Sequence, residues 1–137
     1  MKRRTFLAAS GAFALSPLAV HAAPGFVDYT PGLIQTELAA GKTLLVDYAA
    51  VWCSTCKRQE RVINALRAAD PTYDAAMTFV RVDWDDFRRH EVTTSRGIPR
   101  RSTLILLRGD QELGRIVAGT SESQIKGLLD LGLEGAA

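Results

Sequence analysis

Cysteine is scarce in this 137-residue chain, which holds two, and histidine is no more plentiful, also with two. Beyond residue 22 a single imidazole remains, His90, and there is no second cysteine pair. Those counts leave too few ligands for a Cys/His zinc site. Internal repeats, Pro/Gly-rich linkers and low-complexity tracts are absent, which argues for one domain. Acidic residues are missing from the first 22 positions, which carry Lys2, Arg3 and Arg4. The remainder therefore holds 14 of the 17 basic side chains against all 15 acidic ones. Without the first 22 residues the net charge is close to −1, so there is no basic footprint for nucleic acid. With 47% hydrophobic and 23% charged residues, the composition is that of a globular protein.

The first 22 residues read as a cleavable export signal. Lys2-Arg3-Arg4 forms a positive start, and Ala8 to Val20 is mildly apolar but broken by Ser10, Gly11, Ser16 and Pro17. That stretch falls short of the roughly 20 residues a spanning helix needs. Val20-His21-Ala22 suits a signal peptidase, placing cleavage after Ala22. Arg3-Arg4-Thr5-Phe6-Leu7 resembles the twin-arginine signal, although Lys2 stands where that pattern more often has Ser or Thr. A retained anchor and a general secretory signal are the alternatives. The expected mature domain is residues 23–137, soluble and in the periplasm.

Strand-like and helix-like segments alternate along that domain. Thr43 to Ala49 is a short apolar run fit for a buried strand, and Met77 to Val82 reads as another. Val62, Ile63, Leu66 and Ala69 recur at helical spacing until Pro71 stops them. Asp86 to Thr94 is a polar, partly helical connection. Thr103 to Leu107 and Glu112 to Val117 are two strands joined by the turn signal Gly109-Asp110. Ser121-Glu122-Ser123-Gln124 is a capping box opening a final helix. The expected class is α/β, with helices on both faces of a mixed sheet.

The two cysteines stand in Trp52-Cys53-Ser54-Thr55-Cys56, between a buried-type strand and a helix. There the first thiol meets the free N–H groups and positive end of the helix, which favour a thiolate. Cys53 is then the expected exposed attacker on a substrate disulfide, and Cys56 the shielded thiol that resolves the mixed disulfide. A purely structural disulfide is disfavoured, because closing so short a loop removes little unfolded-chain entropy.

Leu45-Val46-Asp47-Tyr48 followed by Trp52-Cys53-x-x-Cys56-Lys57 resembles the thioredoxin family, and the resemblance runs from about Leu33 to Leu133. It implies a thioredoxin fold with a central mixed sheet of four or five strands and the cysteine pair at the start of its longest helix. It implies protein disulfides as substrates and no dissociable cofactor or metal. It also assigns a role to Asp47, six residues before Cys53, as an acid beneath the pair that moves a proton to or from Cys56. An aspartate within an apolar strand is costly unless it has work or a partner. Arg81 falls where the family often has a basic partner for that acid, and Trp52 where it has a partly exposed platform. Trp84 and Phe87 read as packing residues.

The family's cis-proline, whose neighbouring backbone pairs with the substrate, can be matched in two ways. Gly97-Ile98-Pro99 fits from upstream, making Ile98 and Pro99 the candidate substrate-binding residues, with Arg100 and Arg101 bordering the site. The register of the strand Thr103 to Leu107 instead puts Ser102 at the proline's position. A cis bond costs about 0.5–1 kcal/mol before proline and about 2.5–4 elsewhere, which favours Pro99. Arg61 replaces the family's kinking proline, so a straighter helix is expected.

Two readings of function follow. One is a periplasmic thiol–disulfide oxidoreductase working in the reducing direction and drawing on a membrane-linked electron donor. The other is a binding or assembly module that uses the cysteines to hold a metal or partner.

Overall fold

The computed structural model describes residues 25–135, so the expected export segment, residues 1–22, lies outside the described residues. The chain runs β1 (Val27–Asp28), α1 (Leu33–Ala39), β2 (Thr43–Ala49), α2 (Ser54–Ala69), α3 (Thr72–Ala76) and β3 (Met77–Asp83). It continues α4 (Trp84–Phe87), α5 (Glu91–Thr94), β4 (Thr103–Arg108), β5 (Gln111–Val117) and α6 (Glu122–Leu133). The strands form one sheet in the order β1-β3-β2-β4-β5. β3 runs parallel to β1 and β2, and β4 antiparallel to β2 and β5. A mixed five-stranded sheet with helices on both faces is the expected architecture.

β2 sits at the centre and is buried at every residue, which explains its unbroken apolar run. Side chains alternate across the sheet and split the core in two. On one face Leu45, Phe79, Leu104 and Leu106 meet Ile63 and Leu66 of α2 and Ile125, Leu128 and Leu129 of α6. On the other, Leu44, Val46, Val80, Val82 and Ile105 meet Ile34 of α1 and Val92 of α5. Each fully buried Leu or Ile contributes about 1.5–3 kcal/mol. An exposed ion pair such as Lys126–Asp130 contributes about 0–1 kcal/mol, so the two apolar layers hold the sheet.

By the same alternation Asp47 shares the face of Leu45 and Arg81 that of Phe79, placing both beneath α2. The turn between β4 and β5 is Gly109-Asp110, and Gly109 takes φ +59°, which suits a residue without a Cβ. Ser121 caps α6, its Oγ accepting the Gln124 N–H at 3.2 Å. β1 and α3 were not anticipated, since neither is long enough to show a period. α3 forms because the Asp70 carboxylate accepts the Thr72 N–H at 3.0 Å and Tyr73 packs into the core. No helix among the described residues is long and apolar enough to cross a membrane.

Candidate functional site

α2 begins on the first cysteine. Cys53 is its N-cap, with extended backbone, and its Sγ accepts the Cys56 N–H at 3.2 Å. Cys56 lies one turn further in, and the two are disulfide-bonded across Cα atoms 5.3 Å apart. The partial positive charge of the helix terminus falls on Cys53 rather than Cys56. Exposure does not separate them: Cys53 is 3% exposed and Cys56 2%. The expected open attacker is therefore covered in the disulfide state, because Ala49, Ala50 and Trp84 pack around the pair.

The residue facing both sulfurs is Ser102, which corrects the assignment to Pro99. Ser102 Oγ lies 3.2 Å from Cys53 Sγ and 3.1 Å from Cys56 Sγ. Its backbone is fully engaged: the N–H donates to Tyr48 O at 2.8 Å, and the carbonyl accepts from Ala118 N–H at 2.8 Å. Ser102 has φ +63° and Ala118 φ +62°, a left-handed conformation that costs a non-glycine residue about 1–2 kcal/mol. Gln59, wholly buried on α2, holds both segments, its Nε2 donating to Ser102 O at 3.0 Å and Gly119 O at 2.9 Å. The described residues contain no cis peptide bond, and Pro99 is exposed. The Ile98 side chain lies in the core, buried with Val92 and Ile105 on the sheet face away from α2, rather than at the cysteines. Three residues separate Pro99 from β4, so the strand's start at Thr103 brings Ser102 to the cysteines instead.

Asp47 is completely buried, and neither carboxylate oxygen has a hydrogen-bond partner. Burial pushes its pKa from 3.8 up to about 7; Arg81 lowers it and Glu60 raises it. Arg81 pairs in register with Asp47 across the β2–β3 ladder, but its guanidinium goes to Glu60 of α2 at 2.5 Å. A cavity of about 190 Å³ lies there, lined by Ala50, Val51, Cys56, Lys57, Glu60 and Arg81. At the outer rim Trp52 is 57% exposed. Its Nε1 donates to Asp85 Oδ2 at 2.9 Å, and the Arg101 guanidinium stacks 4.5 Å from its ring. Trp84 and Phe87 are packing residues, as expected.

The sequence reading missed Gln59 and Glu60. Gln59 had a detectable signal, since Cys56, Gln59, Ile63 and Leu66 fall on one buried stripe of α2 and a polar residue there needs partners. Glu60 had none, because its ion pair depends on the packing of α2 over β3.

The thioredoxin family model matches residues 28–130, and the chain belongs to the thioredoxin family. It is 31% identical over 98 residues to mitochondrial thioredoxin-2 of Schizosaccharomyces pombe, covering 72% of this chain and 65% of that protein. It is 28% identical over 109 residues to a thioredoxin of Buchnera aphidicola, covering 79% of this chain and 95% of that one. Among solved structures, Trxlp of Edwardsiella tarda is 33% identical with a TM-score of 0.64, covering 74% of this chain and 97% of its own. Thioredoxin of Trypanosoma brucei brucei has a TM-score of 0.65 at 23% identity, covering 81% and 93%, a likeness of fold. A domain of this family with two cysteines at disulfide distance on a helix N-terminus is equipped for thiol–disulfide exchange.

Proposed function

We propose that this protein is a periplasmic thiol–disulfide oxidoreductase that reduces protein disulfides with Cys53 and Cys56. The observation that carries this is the pair itself, linked across the N-cap and first turn of α2, with a backbone N–H on Cys53 Sγ. In the reduced protein the Cys53 thiolate attacks one sulfur of a client disulfide, forming a mixed disulfide and releasing the first client thiolate. Cys56, after losing its proton, attacks Cys53 Sγ and releases the second. The dithiol supplies two electrons, and its protons end on the two client thiolates. Asp47 serves Cys56 as the base that takes up its proton, a task suited to a carboxyl that titrates near 7. Trp52 offers clients an exposed aromatic surface beside the pair.

Two features beside the pair support the reducing direction. The intervening Ser54 and Thr55 carry no positive charge, and an ionised Asp47 opposes a second negative charge at the cysteines. A less stabilised thiolate makes a more reducing pair. The N-terminal pattern supports export, and a reductant in an oxidising compartment needs electrons from a membrane-linked donor. Cell fractionation with Arg3 and Arg4 changed to lysine tests the route. Reduction of a protein disulfide by a small dithiol tests the function: Cys53→Ser abolishes catalysis, and Cys56→Ser traps client mixed disulfides on Cys53. Equilibration with glutathione buffers should give a potential nearer about −270 mV than about −120 mV. Undiminished turnover in either cysteine variant would overturn the activity, and a potential near the upper value would reverse the direction.

A further inference from the structure

Ser102 has a buried hydroxyl whose near neighbours are the two reacting sulfurs. Disulfide sulfur is a weak acceptor, so the oxidised state gives this hydroxyl little in return for its burial. The position is also strained, with φ +63°, and is held by backbone bonds to Tyr48 and Ala118 and by the Gln59 amide. Backbone strain held by so many contacts is commonly found where a side chain must be presented to a reacting group. Reduction changes the acceptor. A Cys53 thiolate would receive two donors, the Cys56 N–H already 3.2 Å away and the Ser102 hydroxyl at the same distance. Hydrogen bonds to a charged acceptor are roughly twice as strong as neutral ones.

We infer that the Ser102 hydroxyl donates a hydrogen bond to the Cys53 thiolate of the reduced protein and thereby sets how much attacking thiolate is present at neutral pH. The step is a simple proton dissociation: the Cys53 S–H bond breaks, its proton goes to water, and the sulfur keeps the electron pair. Ser102 retains its own proton and only turns it toward the sulfur. The inference deepens the proposed redox function and rests on it. Charged groups around the pair are Asp47 on β2, Lys57 and Glu60 on α2, Arg81 on β3, Asp85 on α4 through Trp52, and Arg101 before β4. None of them bonds to the Ser102 hydroxyl, whose partners are the two sulfurs, so a shift in the Cys53 titration shared by both variants reports the hydroxyl.

The test compares the reduced wild-type protein with Ser102→Ala and Ser102→Gly. The readouts are the pH profile of Cys53 alkylation by iodoacetamide, resolved from Cys56 by peptide mass, and the ultraviolet absorbance of the thiolate. Both variants lose the hydroxyl, while glycine also relieves the positive φ and keeps the fold accessible. Both are expected to move the Cys53 midpoint up by about one pH unit, slowing alkylation about tenfold below it. Coincident profiles for wild type and both variants would overturn the inference. So would a shift in the alanine variant that the glycine variant lacks, since that would report backbone strain. Wild-type turnover of a protein disulfide is measured in parallel. If wild type turns over and the profiles coincide, only the Ser102 role falls; if wild type shows no turnover, the redox function falls whatever the profiles show.

Discussion

At the far end of α2, Arg67 is buried but well partnered: its Nε donates to Asp74 Oδ1 at 2.7 Å, and its guanidinium lies 4.1 Å from the Phe79 ring and 5.6 Å from that of Phe26. Beneath the first turn of the same helix Asp47 is buried with no hydrogen bond at all. One sheet face covers both, so burial alone does not explain the contrast. The difference lies in what surrounds each group. Around Arg67 an acid and two aromatic faces replace the water lost on burial. Arg81, which could do the same for Asp47, is held by Glu60 instead. Asp47 is thus left able to gain and lose a proton near neutral pH, whereas Arg67 is held by its partners. A buried charge with partners serves the fold, and one without them is a candidate for chemistry.

The largest test of this contrast is Asp47→Asn, measured on the oxidised protein so that the cysteines do not titrate. Folding raises the Asp47 pKa from 3.8 to about 7, so the folded state holds a proton that the unfolded state releases in that interval. Wild-type stability should therefore fall as pH rises between those values and level off above them. At about 1.4 kcal/mol per unit, the asparagine variant should match wild type near pH 4 and exceed it by a few kcal/mol above pH 7. Denaturant titrations across pH check this, and turnover near neutral pH should drop. Parallel stability curves would show that Asp47 has an adequate partner.

Arg67→Ala comes next. It removes an ion pair with a partly exposed acid and the cover over two rings, at a cost of about 2 kcal/mol by thermal or denaturant unfolding. The pH profile of Cys53 alkylation should not move, because the change lies at the opposite end of the helix. A shifted profile would join the two ends and remove the distinction.

Glu60→Gln is the smallest and the most local. It takes away a negative charge that raises the Asp47 pKa and frees Arg81 to act on that acid. The acid-side limb of the turnover profile should move to lower pH, while stability near pH 4, where Asp47 is protonated, changes by less than about 0.5 kcal/mol. An unmoved limb would mean that Glu60 has no hold on Asp47 through Arg81.

Much of the site is legible in the sequence. The apolar run around Asp47 marked a central strand, because a strand buried on both faces has no polar alternation to hide it. The cysteine spacing at a strand-to-helix junction marked the reactive pair. Peptide-bond costs favour Pro99 over Ser102 only for a cis bond, and the described residues contain none. Strand register decided the matter: Ser102 N–H donates to Tyr48 O, extending the β2–β4 pairing to the cysteines. Gln59 was visible as a polar break in an apolar stripe, but its acceptors at Ser102 and Gly119 lie 43 and 60 residues away.

By itself the sequence determined the longer strands and helices and their order, though not the short β1 and α3, since periodicity, caps and turn residues act over a few positions. It also determined the cysteine pair and the polarity of its helix, both local consequences of one tetrapeptide. The tertiary structure alone decided which side chains meet those sulfurs and which charge goes unpaired. Ser102 reaches them through strand pairing, and Arg81 is turned from Asp47 by a glutamate on the helix above. Such contacts depend on distances between segments far apart in the chain, which only the packed sheet and helix bring within hydrogen-bond range.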